Sequence, residues 1–258
     1  MKLTLCIAVH NEEKNLHYPL DSAIDIVSEV IIVDGESEDN TIKVAEGYGS
    51  KVKVIRTDNP AMFHINKQKA IDAARGEWIL QLDADEALTD ELSAEIQKII
   101  GGYKEGDAVA YWIPRRNLFL NRFLSKGGQY PDYTIRLYRR GVAHFPCRDV
   151  HENVEVKGEV GHLTSDILHY ADPDFSRYLL RWDRYTTSEA ALLVKKDIKP
   201  NGFIYFVIKP IHWFLKAYFR HSGYVDGFPG FVFALFSAIR FWVIYVKVWV
   251  LKYKDIKI

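Results

Sequence analysis

The sequence predicts an α/β fold, a mainly parallel central sheet flanked by helices, with an aromatic and basic helical extension behind it. Three observations predict it. Short runs of branched and apolar residues alternate with helical stretches through the first 100 or so residues, which implies parallel strands covered on both faces. One of those runs ends in two carboxylates, Asp83 and Asp85. The last third of the chain then turns aromatic and basic.

Leu3 to Val9 reads as a buried strand, followed by the polar turn His10-Asn-Glu-Glu13 and a helix to about Val27. Val30 to Val33 is the second strand, ending in Asp34-Gly-Glu-Ser-Glu-Asp-Asn-Thr41. Gly35 is expected to supply turn geometry there, and Ser37 or Asp39 to cap the helix carrying Val44 and Ala45. Val52 to Ile55 is a third strand, and a helix bearing Ala70, Ala73 and Ala74 leads into the strand Trp78 to Leu82. Further on, Tyr133 to Tyr138 alternates like a strand, so Arg136 and Arg139 cannot both face inward. Leu168 to Tyr170 closes another strand.

Residues 1–172 are therefore read as one α/β domain, with a first half to about residue 100 and a second over 101–172. Residues 173–258 are read as a helical extension.

Side chains alternate along a strand, so Asp83 and Asp85 are expected to point the same way at its carboxyl end. Ligands of open α/β sheets sit at that edge. Two carboxylates there suit a hard divalent cation, Mg²⁺ or Mn²⁺, holding a diphosphate.

Composition bounds the partners. The 258 residues, 48% hydrophobic, suffice for one large core and an extension. Two cysteines, Cys6 and Cys147, make no disulfide framework, and a reducing cytoplasm is expected. The chain opens on a core strand, so a signal peptide is not expected. Net charge is zero, yet residues 174–258 hold 14 Lys and Arg against 6 Asp and Glu, and the preceding residues hold 20 against 28. The basic, aromatic end points to a negatively charged surface. The chain carries no recognised nucleic-acid module, so nucleic acid is not the expected partner. Phe228 to Leu251 is long enough to span a bilayer, but Arg240 and Lys247 lie seven residues apart near one helical face. An interfacial helix is therefore expected, those charges among headgroups and Trp242, Tyr245 and Trp249 at the boundary.

Three segments, Cys6-Ile-Ala-Val-His-Asn-Glu-Glu13, Val33-Asp-Gly-Glu-Ser-Glu-Asp-Asn-Thr41 and Leu82-Asp-Ala-Asp-Glu86, closely resemble the signatures of family 2 glycosyltransferases. Gly128-Gln-Tyr-Pro-Asp132, Ile135 to Arg140, Val150-His-Glu-Asn-Val154 and Tyr224-Val-Asp-Gly227 look like the branch that adds glucose or related sugars to lipopolysaccharide core. Gln129 departs from it, standing where many relatives carry Trp.

The resemblance implies a GT-A fold and a nucleotide-diphospho sugar donor. His10 matches an aromatic that stacks on the base, and Asp34 the carboxylate that accepts from it. Asn11 and Glu12 serve the nucleoside or cap the next helix. Lys67 resembles part of the donor-site polar cluster, and Arg136 falls on a matching position as auxiliary cation or ion-pair partner. Asp83 and Asp85 carry the metal, completed by His169. Glu152, of the matching His-Glu pair, is the expected catalytic base, with Asp149 second and His151 orienting the carboxylate or touching phosphate.

The expected activity is inverting transfer of a hexose, on UDP, to a membrane-held glycolipid such as lipopolysaccharide core, at the cytoplasmic face of the inner membrane. A sugar nucleotidyltransferase and a non-catalytic glycan-binding protein are the alternatives. The first lacks its Gly-rich first loop, and the second has no reason to keep Asp83, Asp85 and Glu152.

Overall fold

A computed structural model describes residues 2–148, 153–172 and 174–253, with only the backbone at 253. The chain divides into two compact units, one of Met1–Arg115 with Asp132–His169 and one of Arg116–Pro131 with Tyr170–Ile258. The second therefore gathers a hairpin segment from the middle of the chain with the C-terminal helices.

As far as residue 102 the chain runs β1 (Leu3–Val9), α1 (His17–Ala23), β2 (Glu29–Gly35), α2 (Thr41–Glu46), β3 (Val52–Thr57), α3 (His64–Ala73), β4 (Trp78–Gln81), β5 (Glu86–Leu88) and α4 (Asp90–Gly102), all in the first unit. After α4 come β6 (Ala110–Phe119), β7 (Arg122–Phe123), β8 (Asp132–Arg139), β9 (Ala143–His144), β10 (Glu155–Val156), β11 (Val160–His162) and β12 (Ile167–Asp172). The main sheet runs β3-β2-β1-β4-β8-β6-β12-β5. Strands β3, β2, β1 and β4 are mutually parallel, and β8 then pairs antiparallel with both β4 and β6. This is the predicted α/β sheet.

β1, β2 and β4 are buried through nearly their whole lengths, which is why they read as continuous apolar runs rather than alternating ones. One core layer packs Leu5, Ile7, Leu80 and Leu82 against Leu16, Leu20, Leu92 and Ile96. The other sets Cys6, Ile31 and Ile79 beside Ala70 and Ala74 of α3. Small residues on α3 let it approach the sheet. At Gly76 an added Cβ would come within 2.7 Å of Thr4 Oγ1 and 2.8 Å of Lys2 carbonyl oxygen, so only glycine permits that entry into β4. The Thr89 hydroxyl caps α4 by accepting from Leu92 N at 3.1 Å, with Asp90 and Glu91 in the first turn.

The second unit is helical: α5 (Phe175–Lys195), α6 (Lys209–Leu215) and α7 (Gly227–Tyr253). π-wound turns at Ile204–Ile208 and Lys216–Arg220 extend α6 at both ends. Its cores are aromatic, with Tyr205, Phe241, Ile244 and Val248 in one and Phe119, Leu124, Tyr178 and Val232 in another. The stretch Gly223–Lys252 is long and apolar enough to cross a membrane by length and composition, with 33% of its most apolar window buried.

Arg240 and Lys247 differ from the expectation. Lys247 Nζ is 2.6 Å from Asp183 Oδ1 and also donates to Thr186 and Thr187 on α5, while the Arg240 guanidinium lies 4.8 Å from the Trp213 ring. Both charges have partners inside the helical unit, so the outer face of α7 is left apolar.

Candidate active site

The carboxyl ends of β1 and β2 form one stitched edge. Asp34, 2% exposed, is the last residue but one of β2. Its Oδ2 accepts from Ser37 N at 3.2 Å, whereas its Oδ1 is buried and has no hydrogen-bond partner among the described residues. The left-handed conformation of this turn falls on Glu36 (φ 57°), not on the glycine before it. Gly35 is needed for closeness instead, because a Cβ there would sit 3.1 Å from Asn66 Nδ2 of α3.

The loop after β1 is tied to the loop after β2 by its polar residues. His10 Nδ1 meets Gly35 carbonyl oxygen at 2.6 Å, and its Nε2 lies 3.2 Å from Asn11 Nδ2. Asn11 Oδ1 accepts from Glu38 N at 2.8 Å, and Glu12 N donates to Thr41 Oγ1 at 2.8 Å. Neither Ser37 nor Asp39 caps α2, whose N-cap is Asn40 without a side-chain bond; Asp39 accepts from Thr41 N at 2.9 Å in the turn before it. Asn11 and Glu12 thus brace the two loops that surround Asp34.

The two carboxylates of the Asp-x-Asp pair separate in role. β4 ends at Gln81, so the alternation argument stops before reaching them. Asp83 Oδ1 lies 2.5 Å from Lys67 Nζ, and Oδ2 lies 2.6 Å from Arg136 Nη2. Arg136 Nη2 also donates to Glu86 Oε1 at 2.7 Å, and its Nη1 donates to Gln81. Glu86, fully buried, accepts in turn from Arg115 Nη1 at 3.0 Å, and Arg115 Nη2 reaches Asp132 Oδ2 at 2.8 Å.

Burial alone would raise the Asp83 carboxyl, but Arg136 and Lys67 hold it well below the usual carboxylate range. Burial pulls the Lys67 ammonium below its ordinary value, with Asp83 acting against that. Burial likewise works against the Arg136 charge, and Asp83 and Glu86 outweigh it, keeping the guanidinium charged. Asp83 is therefore the counterion of two cations. Arg139, on the opposite face of β8, leaves the site and stacks over Tyr103 at 4.7 Å.

Asp85 faces a different partner, His169 Nε2 at 3.5 Å, with side chains 19% and 14% exposed. The described residues contain no group of three His, Cys, Asp or Glu that could hold a metal, so Asp83, Asp85 and His169 do not converge as a triad. What converges is a carboxylate and an imidazole, a donor set that favours Mn²⁺ over Mg²⁺. Asp149, His151 and Glu152 lie outside the described residues.

Beside the ion network is a cavity of about 250 Å³, lined by Phe63, His64, Lys67, Asp83, Arg136 and Phe145 among others. His64 and Phe145 stack on its wall with rings 4.8 Å apart and 9° from parallel. Sequence reasoning missed Glu86, Arg115 and Asp132. A usable signal existed, since Glu86 directly follows the Asp-x-Asp pair, but only pairing of β6 with β8 brings Arg115 opposite Asp132.

The geometry can be set beside known proteins. The family described as Glycosyl transferase family 2 matches residues 4–149. An uncharacterised glycosyltransferase of Rickettsia felis is 30% identical over 253 residues, covering 93% of this chain and 87% of that one. The lipopolysaccharide core biosynthesis glycosyltransferase LpsC of Rhizobium meliloti is 26% identical over 251 residues, covering 93% and 92%. Among solved structures, S. aureus TarS in complex with UDP superposes with a TM-score of 0.51 at 15% identity, covering 99% of this chain and 92% of that one. The chain has the GT-A fold, belongs to glycosyltransferase family 2, and is a glycosyltransferase.

Proposed function

We propose that this glycosyltransferase moves a hexose, with inversion, from a UDP-linked donor to a membrane-held glycolipid such as lipopolysaccharide core. One observation carries the donor reading. A buried carboxylate oxygen, Asp34 Oδ1, sits without a partner among the described residues at the carboxyl edge of the parallel strands. A buried acceptor left unmatched costs roughly 1–3 kcal/mol, and an imide N–H of a bound base would satisfy it. Asn66, with its own unmatched buried Oδ1 and its Nδ2 close to Gly35, extends the same polar floor. The UDP complex of TarS, a fold relative, supports the nucleotide, and the name of LpsC supports the glycolipid acceptor.

In this reading His10 stacks on the base, Asn11 and Glu12 hold the loop that carries it, and Lys67 and Arg136, which Asp83 holds in place, line the cavity for the diphosphate. Asp85 and His169 would hold a divalent cation, which supplies charge neutralisation of the leaving diphosphate when bound. Glu152, with Asp149 second, takes the proton of the acceptor hydroxyl as that oxygen attacks the anomeric carbon opposite the diphosphate. The basic helical unit attaches to the cytoplasmic face of the inner membrane, where the acceptor is held.

Calorimetric titration with UDP and UDP-sugars, with and without Mn²⁺, tests the reading. Asp34→Asn should weaken UDP binding about 10- to 100-fold, the worth of a hydrogen bond to a charged group. Unchanged affinity would remove the nucleoside from this edge. Glu152→Gln should keep donor affinity and cut turnover about 10²–10⁴-fold. If Asp149→Asn does so instead, the base is Asp149.

A further inference from the structure

We infer that the run from Phe203 to Arg220 is a keel that lies in the plane of an anionic bilayer, immersed along its whole length; this rests on the membrane attachment proposed above. Its exposed large apolar residues include Phe203, Val207, Ile211, Leu215 and Phe219, one every four positions. In an α-helix of 3.6 residues per turn a four-residue step overshoots by roughly 40°, so such a row would spiral off the face. Here it does not have to. The π-wound turns at Ile204–Ile208 and Lys216–Arg220 close i→i+5 bonds and hold more than four residues each, so the drift reverses at both ends of α6. A four-residue repeat in sequence thus becomes a straight apolar row.

The same run carries three cations, Lys209, Lys216 and Arg220. Lys209 Nζ sits 3.7 Å from the Tyr205 ring centroid, and Lys216 Nζ sits 4.6 Å from that of Trp213. Those two ammoniums lie over rings of the unit's own core, as Arg240 does; Arg220, exposed at the end of the row, is the cation placed for headgroup phosphates while the row enters the acyl boundary. The row continues sideways onto α7 through Phe206 and Trp242, which stack with centroids 6.5 Å apart and are 41% and 43% exposed. α7 lies against α5, whose Arg184 and Lys195 are exposed. A spanning α7 would carry those charges into the bilayer, at substantial cost. In-plane immersion of the row carries no such requirement.

The experiment uses the full chain in a Cys147→Ser background, labelled with an environment-sensitive fluorophore at Phe203→Cys, Ile211→Cys, Phe219→Cys or Arg184→Cys. Vesicles contain phosphatidylglycerol, with bromines at defined acyl depths. The expected result is blue-shifted emission and equal quenching depth at 203, 211 and 219, with 184 unshifted. Ile211→Asp with Leu215→Asp should lower vesicle partitioning about 10²-fold or more, the worth of two side chains of this size. Depth that increases steadily from 203 to 219 would mean a tilted or spanning helix. Keel labels that stay wet on protein that does bind vesicles would sink the keel and leave membrane attachment standing. No binding at low salt would sink both. Labels buried by concentration-dependent dimerisation without lipid would assign the face to a second copy of the chain.

Discussion

The sheet unit buries charge, and the helical unit exposes apolar surface. In the first, Lys67, Glu86 and Arg136 are all nearly or fully buried, next to a cavity at the carboxyl edge of the sheet. In the second lie all the exposed large apolar residues among the described residues except Phe63 and Tyr133. Each arrangement is unfavourable in water taken alone. Buried ions repay desolvation only with close geometry and full pairing, and monomeric soluble proteins rarely leave broad apolar patches uncovered. Under the proposed function the two departures meet different partners, a nucleotide diphosphate beside the first and an anionic membrane surface against the second.

The contrast breaks first at Arg136. Removing it with Arg136→Leu strips Asp83 of one of its two cations and leaves Glu86 with Arg115 alone. The expected loss is about 3–5 kcal/mol of unfolding free energy by urea denaturation, because an uncompensated buried charge remains. Arg136→Lys should recover part of it, since a compact ammonium cannot reach Gln81, Asp83 and Glu86 together. A loss below about 1 kcal/mol would mean that the network is well solvated and the first unit is not the charge-burying one.

Lys247 sharpens the other side. If its ammonium belongs to α5, Lys247→Glu should destabilise the protein without any lipid present, by about 1–3 kcal/mol, through lost bonds to Thr186 and Thr187 and repulsion from Asp183. A variant of unchanged stability that loses only its affinity for anionic vesicles would return Lys247 to the headgroups. It would also undo the charge-free outer face of α7.

How much of this was legible in the sequence follows from the same division. Strands β1 to β4 were readable because full burial writes itself as unbroken apolar runs, and Asp34 was readable because it ends one. The fate of Asp83 was not. Its partners come from α3 and β8, 16 residues before it and 53 after it, and periodicity carries no information about such pairings. Arg240 and Lys247 misled for a related reason: seven-residue spacing told that they share a helical face, but not that the face turns toward α5 and Trp213. The four-residue row in Phe203 to Phe219 was hidden because an α-helical period scatters it, and only the π-wound turns align it.

The smallest effect tests whether the sheet unit answers its charges away from the cavity too. Glu29, at the start of β2, meets Lys53 Nζ at 2.6 Å, Arg75 N at 3.1 Å and Thr4 Oγ1 at 3.2 Å. Burial would raise its carboxyl, but Lys53, the Arg75 amide and Thr4 together bring it below its ordinary value of 4.5. A carboxylate whose folded value is depressed stabilises the protein above its unfolded value, and that stability is lost as the pH falls through the folded value. Glu29→Gln should therefore cost about 1–2 kcal/mol at pH 7, where the wild-type group is ionised in both states. The gap between the two proteins should begin to close below about pH 4.5 and vanish once the folded wild-type carboxyl is protonated. Denaturant midpoints from pH 7 down to the acid limit of two-state behaviour measure it directly. A gap that stays constant across that range would show that Glu29 is held by packing and shape, with its charge contributing nothing.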